Sequence, residues 1–206
     1  MAVALIRVAI VDDHPVVGEG TAALLRGQPD LEVVGVSTSL DGARSAGLTD
    51  RAAVDVVLLD IRLGSDSGLN LLSKSDPLPA VIVLTAYDYP QYADAALRLG
   101  AAGFVLKTAP LADLLDAIRR VAAGGLAFAV RPPTTGGAHL TTREHAVVRL
   151  VAEGRTNDEI GAALGIGAKT VETHLSRMFE RFGIASRAEL AARAVREGWL
   201  DVPPGG

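Results

Sequence analysis

The chain has 206 residues, of which 49% are hydrophobic, and its formal net charge is −4 at pH 7. It contains no cysteine, which excludes a disulfide framework and a thiolate metal site. No apolar stretch approaches the ~20 residues that a membrane-spanning helix needs, and the N-terminus lacks the basic start of a signal peptide, so we expect a cytoplasmic protein without a membrane partner.

The first half of the chain alternates short apolar runs with segments of helical spacing. The runs are rich in Val, Ile and Leu, which is typical of strands buried on both faces of a parallel sheet. Five such strands alternating with five helices predict a doubly wound α/β domain. The predicted strands are Ile6–Val11, Leu31–Val36, Val54–Leu59, Ala80–Leu84 and Gly103–Leu106.

Charged side chains follow three of these runs. Asp12 and Asp13 come after the first strand, Asp60 after the third and Lys107 after the fifth. The carboxyl ends of parallel strands face one crevice, so we expect these side chains to meet in space. Clustered carboxylates repel one another unless a divalent cation lies among them, and oxygen ligands favour Mg2+. The pattern predicts a site for phosphoryl chemistry.

Each of these residues also has an ordinary structural interpretation. Asp12 to Pro15 could form an acidic helix cap followed by a proline in the first turn. Asp60 could be a turn residue at a strand end, and Lys107 could be a solvated surface lysine. Their joint placement at the ends of successive strands favours the functional interpretation.

The composition changes after Gly124-Gly125. Arg131–Gly137 has the proline and glycine content of a linker. We therefore expect a first domain over residues 1–124, a linker over 125–138 and a second domain over 139–206. Residues 140–206 carry nine basic and nine acidic residues, so any DNA binding by this half must rest on local placement of charge.

Short helices are predicted throughout the second domain. Thr141–Glu144 has the spacing of a capping box, and Asn157 is expected to cap the next helix. A third helix is predicted over Ala168–Phe182 and a fourth over Arg187–Glu197. Two short helices joined by a glycine-containing turn are typical of a helix-turn-helix.

Residues 5–123, with the charged positions described above, resemble the receiver domain of bacterial two-component response regulators, which has a flavodoxin-like fold. The resemblance implies that Asp60 is the phosphoacceptor, which a sensor histidine kinase phosphorylates. It further implies that Asp12, Asp13, Asp60 and the backbone carbonyl of Arg62 hold Mg2+.

The same resemblance assigns roles to residues on the fourth and fifth strands. Thr85 would hydrogen-bond the phosphoryl group, Lys107 would pair with its charge, and Thr85 and Phe104 would act as switch residues. The chain departs from the family at Leu63-Gly64, Ser67-Gly68 and Thr108. None of these positions supplies an essential charge, so we expect a competent site.

Residues 140–200 resemble the LuxR-type helix-turn-helix domain of the NarL/FixJ subfamily. The resemblance rests on Leu140–Glu144, Ala152–Gly161, Lys169–His174 and Arg181–Ile184. Polar residues of the third helix are one, three or four positions apart, so they share one solvent face. A charged solvated face would be favoured for an isolated helix, but the resemblance implies that this face enters a major groove. The expected DNA-binding residues are Thr156, Asn157, Lys169, Thr170, Glu172, Thr173, Ser176 and Arg177.

Together the two halves predict a transcription factor controlled by phosphorylation rather than an enzyme. The expected partners are a sensor histidine kinase, double-stranded DNA and a second copy of the chain, joined in the active state through the last helix. RNA polymerase is a further candidate. Two alternatives are a phosphotransfer module whose helical half docks a protein or RNA, and a regulator that binds DNA without phosphorylation. Specific binding to duplex DNA would exclude the first, and the complete set of signature residues argues against the second.

Overall fold

The computed structural model describes residues 5–64, 66–73, 77–128 and 140–202. They form two compact units, one built on a parallel sheet and the other entirely helical. Among these residues no helix is long and apolar enough to cross a membrane. The predicted linker segment Arg131–Gly137 lies outside the described residues.

The first unit contains a parallel sheet, a short hairpin and four α-helices. Its strands are β1 (Ile6–Val11), β2 (Leu31–Ser37), β3 (Val56–Leu59), β4 (Arg62–Leu63), β5 (Asp66–Ser67), β6 (Ala80–Thr85), β7 (Gly103–Leu106) and β8 (Ala127–Phe128). Its helices are α1 (Pro15–Arg26), α2 (Leu40–Ser45), α3 (Pro90–Arg98) and α4 (Leu111–Ala122).

The parallel strands follow the order β2-β1-β3-β6-β7-β8, so the chain winds outward from β1 in both directions. Alternate residues of β1 enter different cores. Val8 and Ile10 pack with α1 and α4, whereas Ala9 and Val11 pack with α2. Helices therefore cover both faces, which explains why the strands are continuous apolar runs. The predicted doubly wound α/β class is confirmed.

Two details differ from the sequence-based expectation. The sheet has six strands rather than five, because Ala127 and Phe128 pair with Gly103 and Phe104. This strand lies within the segment predicted to be linker, and its two residues are too few to give an apolar run.

The second difference concerns the segment between β3 and β6. A helix was expected there, but the described residues form the antiparallel hairpin β4–β5 and a single 3-10 turn over Gly68–Asn70. Gly64 adopts a left-handed conformation with φ 64°, which suits the hairpin turn, and Pro77 and Pro79 disfavour a helix leading into β6.

Four helices form the described part of the second unit, residues 140–202. They are α5 (Thr142–Ala152), α6 (Asn157–Leu164), α7 (Ala168–Phe182) and α8 (Arg187–Arg196). The capping box at Thr141 and Glu144 is present as predicted. Helix α6 begins differently from the expectation, because Thr156 is its cap and shares a second capping box with Glu159, whereas Asn157 is the first helical residue.

The core of this unit lies along one stripe of α7. Val171, Leu175 and Met178 are buried there at helical spacing and pack with residues of α5, α6 and α8. The turn between α6 and α7 is close to the preceding helix, since a Cβ atom on Gly161 would lie 2.6 Å from the Ile166 carbonyl oxygen. The buried stripe leaves the opposite side of α7 exposed.

Candidate functional site

The carboxyl ends of the central strands bring the predicted acidic and basic residues together. Lys107 follows β7, and its Nζ atom lies 2.5 Å from Asp60 Oδ2 and 2.7 Å from Asp12 Oδ2. Asp12 follows β1 and Asp60 follows β3, two strands that pair directly. Lys107 therefore bridges carboxylates from two neighbouring strand ends.

Burial determines the electrostatics of this cluster. Asp12 is 3% exposed and Asp60 is 6% exposed. Burial raises the pKa of Asp60, and the ion pair with Lys107 only partly opposes that rise. Burial alone would lower the pKa of Lys107, but its hydrogen bonds to Asp12 and Asp60 outweigh that effect, and its pKa is raised. The lysine is held in its charged form.

The residues present fit a hard divalent cation. Asp12, Asp13, His14 and Asp60 each offer a ligand atom, and these atoms lie within 4.8 Å of one another. Asp13 Oδ2 accepts a hydrogen bond from the Gly64 amide at 2.8 Å. Asp13 Oδ1 is buried and lies 2.7 Å from His14 Nδ1. A buried carboxylate oxygen in this situation suits a cation.

Arg62 was expected to contribute its backbone carbonyl to the same cation. Its amide N–H donates to Asp60 Oδ1 at 3.4 Å, so its backbone lies beside the predicted phosphoacceptor. The Arg62 guanidinium carbon lies 4.1 Å from the centroid of the Tyr87 ring. The guanidinium and the ring are therefore in cation–π contact, and the Arg62 backbone lies next to the acidic cluster.

Thr85 and Lys107 are held by the pairing of β6 with β7. The Lys107 amide donates to the Thr85 carbonyl at 2.8 Å, and Thr85 is fully buried. The Thr85 hydroxyl accepts from the Tyr87 amide at 3.3 Å, which leaves its own proton available for another acceptor. Phe104 is half-buried in β7, three residues before Lys107.

Gly68 limits the space behind Asp60. A Cβ atom at this position would lie 1.9 Å from the Asp60 carbonyl oxygen. The Gly68 amide donates to the Ile61 carbonyl at 2.6 Å, which holds the 3-10 turn against the end of β3. From the sequence, Gly68 was named only as one of the positions compared with the receiver family. Its steric role is visible only in three dimensions.

The helical unit presents the predicted DNA-binding residues of α7 on its surface. Lys169 Nζ lies 2.9 Å from Glu172 Oε2, and the Thr173 hydroxyl donates to the Lys169 carbonyl at 2.9 Å. In the first turn of α7, the side chains of Lys169 and Glu172 therefore pair with each other, and the Thr173 hydroxyl bonds to the helix backbone. The α7 residues predicted to contact DNA, all exposed, are Lys169, Thr170, Glu172, Thr173, Ser176 and Arg177.

The two predicted contacts at the start of α6 have protein partners. Thr156 is exposed and shares its capping box with Glu159. Asn157 is half-buried, and its Oδ1 atom accepts from Arg187 Nη1 at 3.1 Å.

Four residues near these sites were not anticipated in the roles the structure gives them. His14 adjoins Asp13 in the sequence, so its proximity to the cluster could have been inferred. The Thr-x-x-Glu spacing of Thr156 and Glu159 repeats that of the first capping box and was also available. The contact of Arg187 with Asn157 spans 30 residues, and no local pattern predicts it.

Two family models match the chain. The model of the response regulator receiver domain matches residues 8–119, and the model of the bacterial regulatory proteins of the luxR family matches residues 138–194.

Several known proteins are similar over nearly the whole length. The transcriptional regulatory protein UhpA of Salmonella typhimurium (strain LT2) is 39% identical over 199 residues, covering 95% of this chain and all of that protein. The probable transcriptional regulatory protein NarL of Mycobacterium tuberculosis (strain CDC 1551) is 34% identical, with 95% and 96% covered. A structure of two RcsB dimers bound to two parallel DNAs is 25% identical, with a TM-score of 0.61 and 93% and 98% covered.

Proposed function

Because the chain belongs to the NarL/FixJ family of response regulators, which join a receiver domain to a LuxR-type DNA-binding domain, we propose that phosphorylation of Asp60 controls its binding to DNA. The protein is a transcriptional regulator and not an enzyme in the usual sense. The observation that carries the proposal is the bridge from Lys107 to Asp60 and Asp12 at the strand ends.

The phosphoryl donor is proposed to be a phosphohistidine of a sensor kinase. An Asp60 carboxylate oxygen attacks the phosphorus, a P–O bond forms, and the P–N bond to histidine breaks. Lys107 carries three ammonium protons, so it can keep donating hydrogen bonds as negative charge moves from the Asp60 carboxylate to the phosphoryl oxygens. Positioning and charge neutralisation are the main requirements of this reaction.

Other receiver residues act around that step. Asp12, Asp13, Asp60 and the Arg62 carbonyl would hold Mg2+, which neutralises charge on the transferred group when bound. The Thr85 hydroxyl is proposed to donate to a phosphoryl oxygen and so to register phosphorylation. Phe104 is proposed to change its packing in response. Thr85 ends β6, the strand next to β3, and Phe104 lies on β7, the strand next to β6.

The helical unit is proposed to bind duplex DNA in the cytoplasm through the exposed face of α7 and the start of α6. Its charge is balanced, so one copy offers few phosphate contacts and releases few counterions. Two copies joined through α8 would double those contacts and read two half-sites. The structure of RcsB dimers bound to DNA supports DNA binding by a dimer. RNA polymerase is a candidate partner of the bound dimer.

The proposal is tested by measuring DNA affinity before and after phosphorylation. A duplex is first selected from a randomised pool by the full-length protein treated with acetyl phosphate and Mg2+. The treated protein is expected to bind this duplex more tightly than the untreated protein, because pairing of two copies adds contacts. Equal affinities of fully phosphorylated and unphosphorylated protein would contradict control by phosphorylation.

The stacked pair of Arg62 and Tyr87 predicts a long-lived phosphorylated state. Arg62 follows Asp60 by two residues and Tyr87 follows Thr85 by two residues, so the pair is proposed to restrict the approach of an attacking water. Replacing both with alanine is expected to shorten the half-life of the phosphorylated protein severalfold, measured as phosphate release after removal of the donor. Arg51→Ala removes an exposed arginine that precedes β3 and should leave the half-life unchanged. An unchanged half-life in the double variant would exclude this shielding role.

The ion pair between Lys169 and Glu172 predicts opposite effects of two substitutions on DNA affinity. Lys169→Ala should weaken binding to all sequences alike and reduce the salt dependence, as expected of a lost phosphate contact. Glu172→Ala should raise nonspecific affinity, because a negative charge leaves the interface and Lys169 loses its competing partner. It should also relax preference at one base pair, since a carboxylate that accepts from cytosine discriminates by about 1–3 kcal/mol. An identical selected consensus for wild type and Glu172→Ala would rule out base reading.

A further inference from the structure

Arg187, the first residue of α8, reaches the start of α6. Its Nη1 atom donates to Asn157 Oδ1 at 3.1 Å, and its Nη2 atom donates to the Arg155 carbonyl. One planar guanidinium therefore contacts the residue before the α6 cap and the residue after it. This arginine is not among the DNA-binding residues expected from the sequence.

The contact determines how the Asn157 amide is oriented. A guanidinium has donors and no acceptor, so only the oxygen of the amide can face it. The NH2 group of Asn157 must then point away from Arg187. Phosphate oxygens are acceptors, so the side chain of an asparagine contacts a DNA phosphate only through its NH2 group.

Neither helix requires this contact to cap its first turn. The start of α6 is satisfied by the capping box of Thr156 and Glu159. The start of α8 is capped by Ser186, whose hydroxyl accepts from the Glu189 amide. Leu190 anchors α8 in the core of the unit and is fully buried. The Arg187–Asn157 hydrogen bond is thus additional to the interactions that form the fold.

We propose that Arg187 is a positioning residue that fixes the Asn157 amide with its NH2 group directed at a DNA phosphate. The inference rests on the proposed function in DNA binding and adds a residue outside the recognition helix to it. Arginine suits the role because its fixed fork reaches two acceptors at once, whereas a lysine ammonium is a single point of charge.

The experiment measures binding of the full-length protein to a duplex that the wild type selects from a randomised pool, over a series of salt concentrations. The variants are Asn157→Ala, Arg187→Ala, Arg187→Lys and the double variant with both alanines. Each single alanine variant is expected to lose about tenfold in affinity, as for one hydrogen bond to a charged group. The double variant should lose no more than either single variant, and Arg187→Lys should resemble Arg187→Ala.

Asn157→Asp separates positioning from a purely structural contact. Its carboxylate still accepts from Arg187, so the link between the two helices is kept and the urea unfolding midpoint should not fall. It presents an oxygen where the NH2 group was, so DNA affinity should fall below that of Asn157→Ala. At salt concentrations that screen the added charge, a merely structural role for the contact predicts that Asn157→Asp binds DNA like the wild type.

Salt dependence separates positioning from direct phosphate pairing by Arg187. If Arg187 acts through the neutral amide, Arg187→Ala weakens binding and leaves the slope of log affinity against log salt unchanged. Direct pairing would instead lower that slope by about 0.9 for each lost contact. Full affinity in Arg187→Lys, additive losses in the double variant, or no loss in Asn157→Ala would each overturn the inference. A wild type that selects no duplex contradicts the proposed function itself, whereas selective binding unaffected by Arg187→Ala contradicts the positioning role alone.

Discussion

Asp60→Asn is expected to take up no phosphate under conditions in which acetyl phosphate and Mg2+ phosphorylate the wild type. The substitution keeps the size of the side chain but removes the carboxylate oxygen that forms the new P–O bond. Asp60 lies against Lys107, which is placed to stabilise the negative charge of the transferred phosphoryl oxygens. The measurement is the intact mass of the protein, followed by peptide mapping to locate the phosphate.

Two controls make this result specific. Asp66→Asn changes an exposed aspartate in the nearby hairpin and should be phosphorylated like the wild type. Chelation of Mg2+ should abolish phosphorylation of both the wild type and the control, because the carboxylates of Asp12, Asp13 and Asp60 are proposed to hold the ion. Phosphate mapped to another residue in the wild type would disprove the assignment of Asp60.

Gly68→Ala is expected to cause a large loss of stability in the receiver. The added methyl group would lie 1.9 Å from the Asp60 carbonyl oxygen, and a backbone atom cannot rotate away as a side chain can. Overpacking of this kind costs about 1–3 kcal/mol or more, and contact with backbone places Gly68→Ala at the upper end. The measurement is amide hydrogen exchange in β1 and β3, which reports the local free energy of unfolding.

The matched control is Gly20→Ala in α1. No described atom lies within 4 Å of a Cβ atom at that position, and alanine favours a helix interior over glycine by about 0.5–1 kcal/mol. Gly20→Ala should therefore stabilise the receiver, while Gly68→Ala destabilises it. Equal protection of β1 and β3 in Gly68→Ala and the wild type would contradict the steric account.

Helices and strands were predictable from the sequence where burial imposes a simple periodic pattern of apolar residues. The predicted and observed bounds of β1 and β7 coincide, because each strand is an apolar run that ends at charged or polar residues. Helix α7 was also predicted to its observed bounds, since Gly167 and Gly183 bracket a stripe of buried residues. These elements follow from local periodicity and glycine punctuation.

Features that depend on contacts distant in sequence were not predictable in the same way. The strand β8 is two residues long and exists because it pairs with β7. The convergence of Asp12, Asp60 and Lys107 could be expected from strand topology, but the bridging position of the lysine could not. The Arg187–Asn157 contact likewise depends on how α8 packs, which a short stretch of sequence does not indicate.

The bridging position of Lys107 has a consequence for the relation between folding and metal binding. Three ionised carboxylates, Asp12, Asp13 and Asp60, and one ammonium leave two net negative charges in the cluster, which a single divalent cation balances. Lys107 already partners Asp12 and Asp60, so part of the negative charge in the cluster is balanced without Mg2+. If Mg2+ binds there as proposed, it would share these carboxylates with the lysine, and its affinity would be lower than three carboxylates alone would give. Magnesium supply would then affect phosphorylation more than folding, because the lysine already offsets part of the repulsion that the ion would relieve.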